Sequence, residues 1–309
     1  MKDIVFALTC IAVMSVPLYA QDIPKQPGKM YVSNDKGESW NPAVTNLPED
    51  VVINEIVEKD QWVFIATENH GIYASDNGIR WWPSGNGLFA KKIDALLVAD
   101  NKIYAGTYTG GVFVSEDNGS SWHAMNKGLS DLTIRTFFTL NGKVLTGTND
   151  GIYTQVEGGW EKLYGGLQIN DFSLAGGTLF VAANRGVLLS PYPFRDWKLT
   201  LEGTAISMLA TTSTGNTVMG RSYFSENFNI NARGEAWKNT FPGVTDSPIY
   251  PALAIEDLLI GQSSGVIYES VDGGQTWNML SDVFKAGLSI KSIKNTRFGL
   301  VVITGGGGC

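Results

Sequence analysis

The chain has 309 residues, 43% of them hydrophobic, with 36 glycines and 11 prolines. A formal net charge of −7 comes without the basic stripe that nucleic-acid binding needs, so nucleic acid is excluded as a partner. Two cysteines and two histidines, His70 and His123, form no spaced ligand cluster, so neither a metal nor any other cofactor is expected.

Residues 1–20 read as a signal peptide. Lys2 supplies the positive start, Ile4 to Val16 is an apolar run too short to span a membrane, Pro17 breaks it, and Leu18-Tyr19-Ala20 precedes a cut before Gln21. The chain is therefore expected to be secreted or periplasmic, with no membrane span. Cys10 comes too early in the apolar run for lipidation, and the mature chain keeps only Cys309, so no intrachain disulfide can form. We expect a monomer. Residues 21–28, with Pro24 and Pro27, form a short tail.

From residue 29 to 309 the chain repeats. Trp40, Trp81, Trp122, Trp160, Trp197, Trp237 and Trp277 recur about every 40 residues. That period fits propeller blades of four short strands. The copies with the fullest turn are Ser33-x-Asp35-x-Gly37-x-x-Trp40, Ser115-x-Asp117-x-Gly119-x-x-Trp122 and Ser270-x-Asp272-x-Gly274-x-x-Trp277. A fourth has Ala74 in the first position, then Asp76, Gly78 and Trp81. Asp is read as accepting from backbone amides two residues on, Gly as supplying a positive φ, and Trp as covering the seam between sheets. The copies around Trp160, Trp197 and Trp237 are degenerate, and the one before Trp160 is read as having lost the turn.

Ahead of each turn lie a strand–turn–strand such as 142–153 and an Ile-x-x-apolar strand, as in Ile53-Asn-Glu-Ile56 and Ile134-Arg-Thr-Phe137. The chain enters at a third strand near Lys29 to Ser33. It ends on a first strand near Ile290 to Thr296 and a second near Gly299 to Thr304, with Gly305 to Gly308 in the turn. The expected fold is an all-β, seven-bladed propeller with four antiparallel strands per blade, closed by a composite N- and C-terminal blade that leaves no open edge. On this reading residues 29–309 are one complete domain.

The Ser-x-Asp-x-Gly-x-x-Trp motif resembles the Asp-box, or bacterial neuraminidase repeat. The repeat pattern as a whole is similar to photosystem II assembly-factor propellers, which implies a scaffold that holds other proteins. The basic patch of that family is not evident here, so its partner is not carried over. Sialidases share the motif, and the resemblance implies three arginines (Arg135, Arg185, Arg221), a tyrosine (Tyr108 or Tyr250) and a glutamate (Glu55 or Glu68). Their six blades and Arg-Ile-Pro segment are not matched. Xyloglucan-hydrolysing enzymes pair two such domains around paired acids, for which Asp94 and Asp171 are the candidates.

In a propeller the turns between second and third strands and the starts of the inner strands share one face, opposite the Asp-containing turns. The expected ligand face is Glu68, His70, Tyr108, Arg135, Asp150, Arg185, Arg221, Tyr250 and Lys291, with Asp94, Asp171, Glu55 and Glu68 as candidate catalytic acids. Asn54, Asn149, Asn170, Asn184 and Gln262 fall on the same face. The expected function is non-catalytic binding or scaffolding of a protein or carbohydrate partner; the alternative is a glycoside hydrolase acting through those acids.

Overall fold

The computed structural model describes residues 30–43, 45–211, 217–222, 227–231, 238–239, 249–255, 258–272, 276–284 and 289–305. Side chains at 217–219, 221–222, 227–231, 238–239, 250–251, 254–255 and 289 lie outside the description. So do the expected signal peptide, the tail, Cys10, Trp237, Gly274, Gly306 to Gly308 and Cys309.

Short apolar runs broken by Gly, Asn and Asp turns make four-stranded antiparallel sheets, and seven such sheets are formed. We number the blades by their first, inner strands: Ile53–Lys59, Ile93–Ala99, Ile134–Leu140, Ile169–Ala175, Ile206–Thr211, Tyr250–Ile255 and Ser289–Thr296. Each inner strand touches the next, and the seventh touches the first, so the strands ring a central channel. Blades 1 to 6 are contiguous stretches of chain, and a count of contiguous sheets stops at six. Blade 7 adds Ser289–Thr296 and Gly299–Gly305 from one end of the chain to Met30–Ser33 and Asn41–Pro42 from the other. Met30 pairs with Ile303 and Ser33 with Leu300.

The blades are joined by apolar sandwiches. Between blades 1 and 2, Phe64, Ala66 and Ile72 meet Ile93, Phe113 and Trp122. The Ile that opens an inner strand is received by a glycine in the neighbouring sheet. A Cβ at Gly106 would stand 2.5 Å from Ile134 Cγ2, and one at Gly147 would stand 2.5 Å from Ile169 Cγ2. Each wholly buried Ile contributes roughly 1.5–3 kcal/mol. Trp40, Trp81, Trp122, Trp160 and Trp277 are buried at the seams, and Trp197 is half-buried.

Two turn assignments need correction. The Asp76 assignment fails because that turn is one residue shorter. Ser75 Oγ and Asn77 Oδ1 take its amides, with Asn77 accepting from Ile79 and Arg80 at 2.9 Å each, while Asp76 is exposed. The turn before Trp160 is tightened, not lost: Val156 pairs with Gly159, and Gly158 takes φ +71°. In the full turns, Ser33 Oγ accepts from Gly37 N at 2.7 Å and Asp35 accepts from Ser39 N at 2.9 Å. The Asp therefore reaches four residues on, not two. Ser115 and Asp117 repeat this with Gly119 and Ser121.

Candidate functional site at the channel mouth

Every inner strand carries a bulge near its start, where the register with the second strand slips. The extra residues are Asn54, Asp94, Arg135, Asn170, Ser207, Ala252 and Lys291. A bulge re-aims a side chain out of the ladder, and seven in register set these residues around one mouth. Asn54 donates to Ile93 O at 3.0 Å, and Asn170 donates to Ile206 O at 2.6 Å. These two carboxamides tie one blade's bulge to the first residue of the next.

The charged half of the mouth centres on Lys92. Its Nζ lies 2.6 Å from Glu68 Oε1, 4.0 Å from Asp94 Oδ1 and 4.5 Å from the centre of the Tyr108 ring. Asn54 donates to the other Glu68 oxygen at 3.1 Å. Burial pushes the Glu68 pKa up, but the Lys92 and Asn54 hydrogen bonds outweigh it and hold the group below the usual carboxylate range. Asp94 goes the other way: desolvation raises it, Glu68 adds to the rise, and Lys92 and Arg135 oppose it. Hydrogen bonding to Glu68 raises Lys92. Lys291 is lowered, first by desolvation and then by Lys92, against the pull of Glu68. Across the mouth, Arg135 Nε donates to Asn170 Oδ1 at 3.1 Å.

A second charged group lies one position further along the inner strands. Lys294 Nζ is 3.0 Å from Glu55 Oε1, and the field of Glu55 raises its pKa. Asp171 senses both. Its Oδ1 accepts from Phe172 N at 2.8 Å and its Oδ2 from Leu209 N at 2.9 Å. Desolvation nevertheless outweighs these bonds and pushes the Asp171 pKa up to about 6.

The residues expected on this face divide accordingly. Glu68, Tyr108, Asp94 and Lys291 come together, and Arg135 stands beside them. Glu55 and Asp171 belong to the Lys294 group, so Asp94 and Asp171 have no common partner. His70 turns to Asp50 at 2.8 Å. Asp150 is taken by Lys162 at 2.5 Å and Ser130 at 2.8 Å. Arg185 and Asn149 are exposed, Asn184 accepts from Gln168 N, and Gln262 is buried. Arg221 and Tyr250 lie on described strands, but their side chains lie outside the description. Lys92 and Lys294 were missed. The available signal for Lys92 was its place just before the Ile that opens an inner strand. Among the described residues no cluster of His, Cys, Asp and Glu could hold a metal ion, and no helix is long and apolar enough to cross a membrane.

A family model described as a DUF6242 beta propeller domain matches residues 15–138. No curated protein matches. Among solved structures, YCF48 from Cyanidioschyzon merolae is 14% identical with a TM-score of 0.64, covering 91% of this chain and 97% of that one. YCF48 bound to D1 peptide is 16% identical with a TM-score of 0.64, covering 82% and 91%. The extracellular domain of the putative hybrid two component system BT3049 from B. thetaiotaomicron is 13% identical with a TM-score of 0.66; the match covers 90% of this chain but only 40% of that one. At these identities the likeness establishes the β-propeller fold alone.

Proposed function

We propose that residues 29–309 form a non-catalytic binding propeller, built on Asp-box turns, that holds an extended protein segment across the channel mouth. The observation that carries this reading is that the candidate acids are engaged in pairs by lysines. Lys92 stands between Glu68 and Asp94, and Lys294 faces Glu55 with Asp171 nearby. A glycosidase needs two carboxyl groups free to flank a bond, with a water or sugar carbon between them. Asp171 has the raised proton affinity of a general acid, yet both its oxygens are filled by backbone amides. A mouth with fixed charges on one half and Asn170, Ser207 and Ala252 on the other suits a polar backbone with a few charged side chains. The peptide bound to the structurally similar YCF48 is a precedent for the mode. The leader sequence supports a secreted or periplasmic setting.

The test is to pan a displayed library of random dodecapeptides against mature chain, residues 21–309, and against its Lys92→Ala and Arg135→Ala variants. Peptides that bind the wild type and lose affinity for both variants support the reading. Product release from a panel of sialosides and β-glucans, abolished by Asp94→Asn, would overturn it in favour of hydrolysis.

A further inference from the structure

Seven of the chain's nine tryptophans belong to the 40-residue period. The other two, Trp62 and Trp82, both fall in blade 1. Trp62 opens the second strand, where the other sheets have Lys102, Lys143, Thr178, Thr217, Leu258 and Gly299. Trp82 begins the short outer strand, cross-strand from Ala74. Its counterparts, by the same pairing, are Asn41, His123, Glu161, Lys198, Lys238 and Asn278. The repeat gives no structural reason for either tryptophan, because six other blades close without them.

The two rings meet edge to face, with centroids 6.2 Å apart at 79°. Trp82 is 44% exposed. They form one wall of a cleft of about 230 Å³ between blade 1 and the Asp117 turn of blade 2. The opposite wall is Asn118, Gly119 and Ser120, and the floor runs through Ser84, Gly85 and Asn86. Gly119 fits here because a Cβ would stand 2.7 Å from Phe64 and 2.3 Å from Ser84 Oγ. That contact fixes the turn against the wall. No lining residue carries a charge.

We propose that this cleft binds a neutral pyranose unit of an oligosaccharide. A sugar ring pairs an apolar C–H face with a rim of hydroxyls. The exposed indole of Trp82 offers the flat apolar surface, with a polar edge of its own. The exposed Asn86 carboxamide and Ser120 hydroxyl offer neutral donors and acceptors to the rim. The volume lies below the roughly 300–1,000 Å³ of sites for drug-sized ligands, so it fits one ring and not a chain. The cleft opens on the outer side of the molecule at the end opposite the channel mouth, so this site is independent of the peptide reading.

The experiment is a titration of mature chain with cellohexaose, laminarihexaose, maltohexaose, mannohexaose and hexagalacturonate, followed by tryptophan fluorescence and saturation-transfer NMR. At least one neutral hexasaccharide should perturb both signals, and hexagalacturonate should not. Trp82→Ala should weaken that binding by about tenfold or more, the equivalent of about 1.4 kcal/mol. Gly85→Leu provides a second variant that keeps the fold, since Gly85 has no positive φ and an added Cβ meets nothing within 4 Å. It should fill the cleft and abolish binding with an unchanged melting temperature. Silence from all four neutral sugars, binding that survives both variants, or equal binding of hexagalacturonate would overturn the proposal.

Discussion

Lys294 meets Glu55 at 3.0 Å across the seam where the composite blade joins blade 1. The pair links strands more than 230 residues apart in sequence, and Asp171 sits within its field. The mouth and the ring closure therefore share charged groups, and perturbing one end of the chain should be felt at the other.

Loss of the last strand should abolish folding. Gly299–Gly305 pairs with Ser289–Thr296 on one side and Met30–Ser33 on the other, so deleting residues 299–309 opens the ring and exposes two edges. We expect no cooperative melt by circular dichroism and aggregation on size exclusion. A monomer with a native-like melt would show that closure is dispensable.

Asp171 should give the fold a measurable pH dependence. Its pKa is about 6 in the fold against an ordinary 3.8. Between those values the folded chain holds a proton that the unfolded chain has released, so this group's contribution to stability falls as pH rises from about 4 to 6. Asp171→Asn should remove that slope. Each tenfold gain in proton affinity on folding corresponds to about 1.4 kcal/mol, so the effect is at most about 3 kcal/mol. Melting temperatures at half-unit steps from pH 4 to 7 check it; parallel profiles for both proteins would count against the assignment. Glu68, held below its ordinary value, acts in the opposite sense: its contribution is present above about pH 4.5 and fades as pH falls further.

Asp117→Ala should lower stability by about 1–2 kcal/mol, because Asp117 accepts from Ser121 N, Ser121 Oγ and Ser115 Oγ. Peptide binding at the mouth should be unaffected, since this turn lies at the far end of the blades. Chemical denaturation paired with a binding titration separates the two; intact stability with lost binding would place the ligand on the wrong face.

Gly128→Ala should be more damaging than the loss of that carboxylate. Gly128 has φ +92°, and an added methyl would stand 2.0 Å from the Trp160 carbonyl oxygen of the next blade. We expect at least about 2 kcal/mol of destabilisation from left-handed strain and this clash together. A urea midpoint equal to wild type would refute the close approach.

The blade pattern was legible because it is carried by residues the repeat keeps: the seam tryptophans, the Ile that opens inner strands and the turn glycines. The site was less so. Glu68, Tyr108, Asp94 and Lys291 could be placed on one face from strand order alone. Their common partner, Lys92, lies in a connecting loop that no periodicity marks. The bulges were hidden too, since a slip of one residue after Ile53 or Ile93 leaves the hydrophobic alternation intact on either side of it. Asp76 misled because its spacing to Gly78 and Trp81 matches the motif, whereas Ser75 and Asn77 make the bonds in a turn one residue shorter. Trp62 and Trp82 meet only because blade 1 brings a second strand and an outer strand together.

The pairing of Met30 with Ile303 also sets an order of events during synthesis. At roughly 5–20 residues per second, about 15–55 s pass between translation of the first strand and of its partner. Until then Met30–Ser33 lacks the strand it is to lie against, while blades 1 to 6 contain only local hairpins and can form as they emerge. Blade 7 is then the slow, non-local step. A chaperone that shelters the nascent chain has one short strand to cover, and the most vulnerable moment comes at the end of translation.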